Sequence, residues 1–179
     1  MGFIIGVLIV VAAIIFWYIA TKNDLRCTEI KVEESLADID VALIKRHDVL
    51  TKMLDLIKSY VNYEKEIMLE TICLRSGMSM KERNQALDVM DKTNHFIQAV
   101  AEDYPELRSS ENFKQMQKSI MDVEEHLQAA RRLYNGNIAR LNQKIVSFPS
   151  SIVANRIQMS QKEFLVVDEV KRQDVKMDI

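Results

Sequence analysis

Apolar residues recur every three or four positions over most of this chain, and one stretch departs from that rhythm by being apolar throughout. From Gly2 to Thr21 twenty consecutive residues carry no charge, and eighteen of the first twenty-one are apolar. At about 1.5 Å per residue that stretch crosses a hydrocarbon core of about 30 Å. Trp17 and Tyr18 lie near its end, where amphipathic rings settle at headgroup depth, and Lys22 follows at the polar boundary. From Lys22 to Arg75 there is neither Gly nor Pro, and Leu36, Ile39, Leu43, Leu50, Leu54, Ile57, Val61, Met68 and Ile72 keep a helical phase. This predicts one long amphipathic helix ending at Ser76-Gly77. Arg46 or His47 occupies a seat where the seam calls for an apolar residue, which leaves open a kink or break near Arg46 to Thr51.

Ser79 with Glu82 has the spacing of a capping box and opens a second helix, whose seam reads Leu87, Met90, Asn94, Ile97, Ala101 and Tyr104 before Pro105 stops it. Ser109 or Ser110 caps a third. Its inner face is expected to run Phe113, Met116, Ile120, Val123, Leu127, Ala130, Tyr134, Ile138, Leu141, Ile145 and Phe148. Short connections force antiparallel packing. The expected architecture is all-α: an N-terminal transmembrane helix over residues 1–21, an antiparallel bundle of three to four long helices over 22–157, and an extended tail over 158–179.

Composition supports that outline and removes alternatives. Four Gly and two Pro among 179 residues leave little material for sheet turns or for a phosphate-cradling loop. With 24 basic against 26 acidic residues, no field is strong enough to recruit nucleic acid. A cleaved secretory signal would want a basic n-region, a shorter apolar run and small residues at its cleavage site, none of which the stretch supplies. An uncleaved signal-anchor follows. Lys and Arg are absent before the span, whereas Lys22, Arg26 and Lys31 follow it, which puts the bundle in the cytoplasm of a single-pass protein. Cys27 and Cys73 form no disulfide framework, in keeping with a reducing compartment.

Site chemistry is sparse. The residues three before His47, His95 and His126 are Ile44, Lys92 and Val123, so the Glu-x-x-His pair of a di-iron bundle is missing, as are zinc-hydrolase, nucleophile-elbow and paired-Cys motifs. The expectation is a protein without enzymatic activity, catalytic residues, bound metal or cofactor. Two polar constellations stand out: Arg46, His47 and Asp48 on the first long helix, and Arg131, Arg132, Tyr134 and Asn135 on the third. Solvated faces are the ordinary reading, because charged helix residues are mostly exposed; the sharper one is a semi-buried cluster that fixes register or receives a partner. Gly136 costs about 1 kcal/mol relative to Ala inside a helix, which points to close helix approach, a local kink or a tolerated defect.

The runs Tyr104-Pro105-Glu106-Leu107, Asn112-Phe113-x-x-Met116-Gln117, Ala130-Arg131-Arg132-Leu133-Tyr134-Asn135, Leu141-Asn142 and Ser147-Phe148-Pro149-Ser150 resemble the LemA family of bacterial membrane proteins. Ile39-Asp40-Val41, Lys45-Arg46-His47-Asp48, Ile57-Lys58-x-Tyr60 and Glu64-Lys65-Glu66 resemble the other half of that pattern, in order and at similar spacing. Two positions depart from it: Thr51-Lys52 stands where the family usually has Pro-Asn, and Tyr63 where it has His. The resemblance implies an N-terminal span and an antiparallel helical bundle with no established enzymatic activity; a related branch takes part in magnetosome formation. Three roles are compatible with these features. The first is a scaffold or interaction module at the cell membrane that binds an unidentified protein partner. The second is a ligand- or metal-dependent accessory factor using the polar cluster. The third is a homo-oligomer on the membrane surface, built through coiled-coil-like seams.

Overall fold

With no proline or glycine between Lys22 and Tyr60 to interrupt the backbone ladder, the apolar stretch and the amphipathic stretch form a single helix, α1, over Gly2–Tyr60. This computed structural model describes residues 1–60 and 78–165. The helix passes through Arg46 to Thr51 without a break, so the polar seat is accommodated by burial of its side chain rather than by a kink. The expected helix end at Ser76-Gly77, together with Val61, Met68 and Ile72 of the expected seam, Tyr63, Glu64-Lys65-Glu66, Cys73 and the tail beyond Leu165, lies outside the described residues.

Ser79 caps α2 (Met80–Asp103) through the reciprocal box expected from its spacing: the Ser79 hydroxyl accepts from the Glu82 amide and the Glu82 carboxylate accepts from the Ser79 amide. Pro105 ends that helix and also starts α3 (Pro105–Ser109), since a missing N–H costs nothing at a first helical position. Ser110 then caps α4 (Glu111–Val146), its hydroxyl accepting from the Phe113 amide at 3.3 Å. A short α5 (Ser150–Arg156) follows Pro149, and residues 159–165 are extended. Among the described residues every regular element is a helix.

The chain divides into two compact units that share α1 and α4 between them. One comprises Met1–Val32 and Tyr134–Ile179, the other Glu33–Leu133. In the first unit the end of α4 runs antiparallel to α1. Asn137 donates to the Lys31 carbonyl at 3.1 Å, and Lys144 reaches Asp24 at 2.7 Å and Thr28 at 2.8 Å. The buried stripe of α1 here is Leu25, Thr28 and Val32, facing Ile138, Leu141, Ile145, Val153 and Ala154. Two asparagines bind the extended segment to α4 by pairing as amides with its backbone. Asn142 exchanges two hydrogen bonds with Lys162, both at 2.9 Å, and Asn135 two with Leu165 at 3.0 and 2.9 Å.

In the second unit the expected seam is the core: Ile39, Leu43, Leu50, Leu54 and Ile57 meet Leu87, Met90, Ile97, Phe113, Ile120, Val123 and Leu127, all buried. Phe113 is fully enclosed, and burial of such a ring contributes about 1.5–3 kcal/mol. α4 is antiparallel to α2, as the Gln98–Gln117 hydrogen bond at one end and Asp91 beside Glu124 at the other require. The antiparallel packing expected of successive helices does not hold for α1 and α2: Asp40 meets Arg83 and Arg46 meets Asp91, so these two run in the same direction.

Two seats of the expected inner faces turn outward. Tyr104 is 41% exposed, and Phe148 is 82% exposed. α4 stops at Val146, so Phe148 lies beyond the helical repeat that would have carried it inward.

Candidate functional site

Arg46 stands between Leu43 and Leu50 on the inner stripe of α1, so the helix delivers a guanidinium into an otherwise apolar core, where Arg46 is 2% exposed. Asp91 and Glu124 follow the buried Met90 and Val123 and reach in from the edges of α2 and α4. Arg46 Nη2 lies 2.6 Å from Asp91 Oδ1, to which it donates, and 2.5 Å from Glu124 Oε1 as a close ion pair. Arg131 completes the group from α4. Burial lowers its guanidinium below the ordinary arginine range and repulsion from Arg46 lowers it further, while Glu124 and Asp91 pull it back. Two cations and two carboxylates thus balance, with Arg46 enclosed and Arg131, Asp91 and Glu124 half-buried around it. Arg46 Nε, Arg131 Nε and Asn94 Oδ1 are buried with no hydrogen-bond partner among the described residues. A charge group of this kind is costly to assemble and fixes which helix faces meet.

A second buried pair lies on the same helices. Arg83, 3% exposed, grips Asp40 in a fork, Nε to Oδ1 at 2.7 Å and Nη2 to Oδ2 at 2.8 Å, and donates through Nη1 to the Met78 carbonyl. It fastens the start of α2 to the middle of α1.

The sequence-derived site residues divide accordingly. Solvation is the wrong reading for Arg46, whose stem packs in the core while its charge is met by two helices. Arg131 joins it. His47 is half-buried, 3.9 Å from the exposed Asp48 carboxylate, and Arg132 is exposed. Tyr134 and Asn135 belong to the other unit, where Tyr134 is a buried core residue and Asn135 holds Leu165. At the end of the apolar stretch Trp17 is 36% exposed, Tyr18 is half-buried and Lys22 is exposed. Asp91, Glu124, Asp40 and Arg83 escaped the sequence reading. Their one signal is a charge seated on or beside an apolar stripe, as Arg83 is three before Ala86 and seven before Met90.

Beside this centre, α1 and α4 leave a groove of about 320 Å³ in the second unit. Val41, Ala42, Ala129, Ala130 and Leu133 form its apolar surface, and Asp38, Lys45 and His126 its polar edge. Val41 is 51% and Leu133 53% exposed, so the groove presents aliphatic surface to its surroundings. Among the described residues no group of three or more His, Cys, Asp or Glu is placed to hold a metal ion. One helix among them, α1, is long and apolar enough to cross a membrane, and none of its apolar window is buried.

The family model for LemA matches residues 35–179, beginning just beyond the apolar stretch. Protein LemA of Metamycoplasma hominis is 26% identical over 178 residues, covering 97% of this chain and 81% of its own length.

Proposed function

The chain belongs to the LemA family, and from that premise we propose that it is a single-pass, membrane-anchored helical bundle without enzymatic activity. It serves as an interaction or scaffold module at the cytoplasmic face of the cell membrane. The observation that carries the reading is the continuity of α1. One helix is exposed and apolar over its first five turns and then, without interruption, supplies the buried stripe of a packed fold. Eighteen apolar residues among the first twenty-one, nearly all of them exposed, have a lipid solvent as their natural counterpart. The absence of Lys and Arg before that stretch, against Lys22, Arg26 and Lys31 after it, supports the cytoplasmic orientation.

The groove beside Val41 and Leu133 is where a protein partner fits, because an aliphatic surface edged by Asp38, Lys45 and His126 offers burial with charge registration. Arg46 and its carboxylates then hold the helices that form the groove. The test has two arms. Cys27 is exposed, so in intact cells carrying Cys73→Ser a membrane-impermeant maleimide should label it only after permeabilisation; labelling of intact cells sinks the orientation. A photo-crosslinking residue at Leu133 should yield one reproducible adduct, lost in Val41→Glu with helical content unchanged. No adduct, or one indifferent to Val41→Glu, sinks the interaction role.

A further inference from the structure

Among the described residues the most exposed large apolar side chain beyond the anchor is Phe148, at 82%, with Val146 at 59% and Ile152 at 56% close to it in sequence. All three belong to the corner where α4 gives way to α5, within the unit that also contains the apolar stretch. The position of that corner along α1 is set by the contacts that precede it. Asn137 meets Lys31, and Lys144 meets Thr28 and Asp24, so α4 climbs toward the apolar end of α1 as its own numbering rises. α4 ends at Val146, two residues past Lys144, which at 1.5 Å per residue is about 3 Å further and brings the end of the helix to the level of about Lys22, with Phe148 in the turn beyond it.

The burial pattern of α1 gives the same level independently. Going toward the N-terminus, its covered stripe passes from Val32 to Thr28 and Leu25 and ends in the half-covered Thr21 and Tyr18. The fold therefore reaches the depth of the expected aromatic belt. The chain turns back there. Ser150, the first residue of α5, donates through its hydroxyl to the Lys144 and Ser147 carbonyls, and residues 162 to 165 descend α4 from Asn142 to Asn135. The corner is the end of the unit nearest the apolar stretch of α1, and Lys22 is exposed at about its level.

We infer that Val146, Phe148 and Ile152 form a second membrane contact, a monotopic foot that inserts into the interfacial zone of the bilayer that α1 crosses. This rests on the anchor reading above. Exposed apolar side chains level with an exposed lysine suit the boundary between acyl chains and anionic headgroups. Burying Phe148 there removes an aromatic ring from water and limits tilting of the unit about its single span.

The test uses the full-length protein, with Cys27 and Cys73 replaced by Ser, in phosphatidylcholine vesicles containing phosphatidylglycerol. A single environment-sensitive fluorophore is placed by Trp17→Cys, Phe148→Cys or Glu163→Cys, and lipids spin-labelled near the headgroup act as quenchers. Trp17 reports the anchor and exposed Glu163 the aqueous phase. The expected result is a blue shift and a loss of fluorescence at Phe148 comparable to those at Trp17, with neither at Glu163, and far-UV circular dichroism alike in all three. Quenching at Trp17 with Phe148 behaving like Glu163 overturns the foot and leaves the anchor standing. Quenching at neither site overturns both. A Phe148 label that is shielded but unquenched, with a disulfide-linked dimer of Phe148→Cys on oxidation, makes a second copy the occupant and likewise overturns the inference.

Discussion

Arg46 is enclosed in the core of its unit, with its charge met by carboxylates on two other helices. Arg46→Met keeps the volume of the stem but leaves Asp91 and Glu124 facing Arg131 alone, one negative charge in excess. Breaking a buried pair costs about 3–5 kcal/mol, and carboxylates about 30% exposed put this one near about 3. Adding Asp91→Leu restores balance, Glu124 against Arg131, and should recover at least about 1 kcal/mol of the loss. Urea melts followed by circular dichroism measure both; a double variant no better than the single removes the charge-balance account. The sequence exposed half of this group. Arg46 interrupts an apolar stripe and is conspicuous, but Asp91 and Glu124 sit beside their stripes, where a charge is ordinary, and the pairing joins residues 45 positions apart in the one case. Periodicity shows which face a residue occupies and is silent about which distant residue shares its level.

At the scale of the element, local signals transferred well because their physics is local. Ser79 with Glu82 satisfies orphan amides within one turn, and Ser110 does so for α4. The misreading of Phe148 has the same origin: the helical repeat was carried two residues past the point where α4 ends. Gly136 shows a sequence signal with less behind it than it offered. α4 runs straight through it, and an added Cβ meets nothing within 4 Å. Gly136→Ala should therefore stabilise the protein by up to about 1 kcal/mol, read as a rise in Tm. No change, or a fall, would mean that the glycine serves a contact formed only in a complex.

The extended segment answers to pH. Burial raises the Glu29 carboxyl, but hydrogen bonds from Arg26 and Lys162 outweigh it and leave the group below its usual 4.5. A depressed carboxyl stabilises the fold fully above its unfolded value and loses that contribution as pH falls through the folded one. Amide protection at Lys162 and Leu165, corrected for intrinsic exchange, should thus decline below about pH 4.5 in the parent and be lower but flatter in Glu29→Gln. The effect is modest, about 0.5 kcal/mol, because Glu29 and Lys162 both retain solvent contact.

For the whole molecule, the family match and the apolar stretch do not overlap, the stretch ending at Thr21 and the match starting at residue 35. The stretch can accordingly be altered with little effect on the packed residues, because Ile9 and Ile14 are 64% and 58% exposed and no part of the apolar window is buried. Ile9→Lys with Ile14→Lys removes no core contact, so the melting of the folded units should be unchanged. Insertion is another matter: a lysine near the centre of a span costs about 2.5–3.5 kcal/mol, and two exceed the gain from most of the remaining aliphatic residues. The parent should resist alkaline extraction from membranes and the double variant should be released into the supernatant with a parental melting curve. A double variant that stays in the membrane pellet would mean that something other than this stretch holds the protein there. One released and also destabilised would mean that the exposed face of α1 has a protein partner in place of lipid.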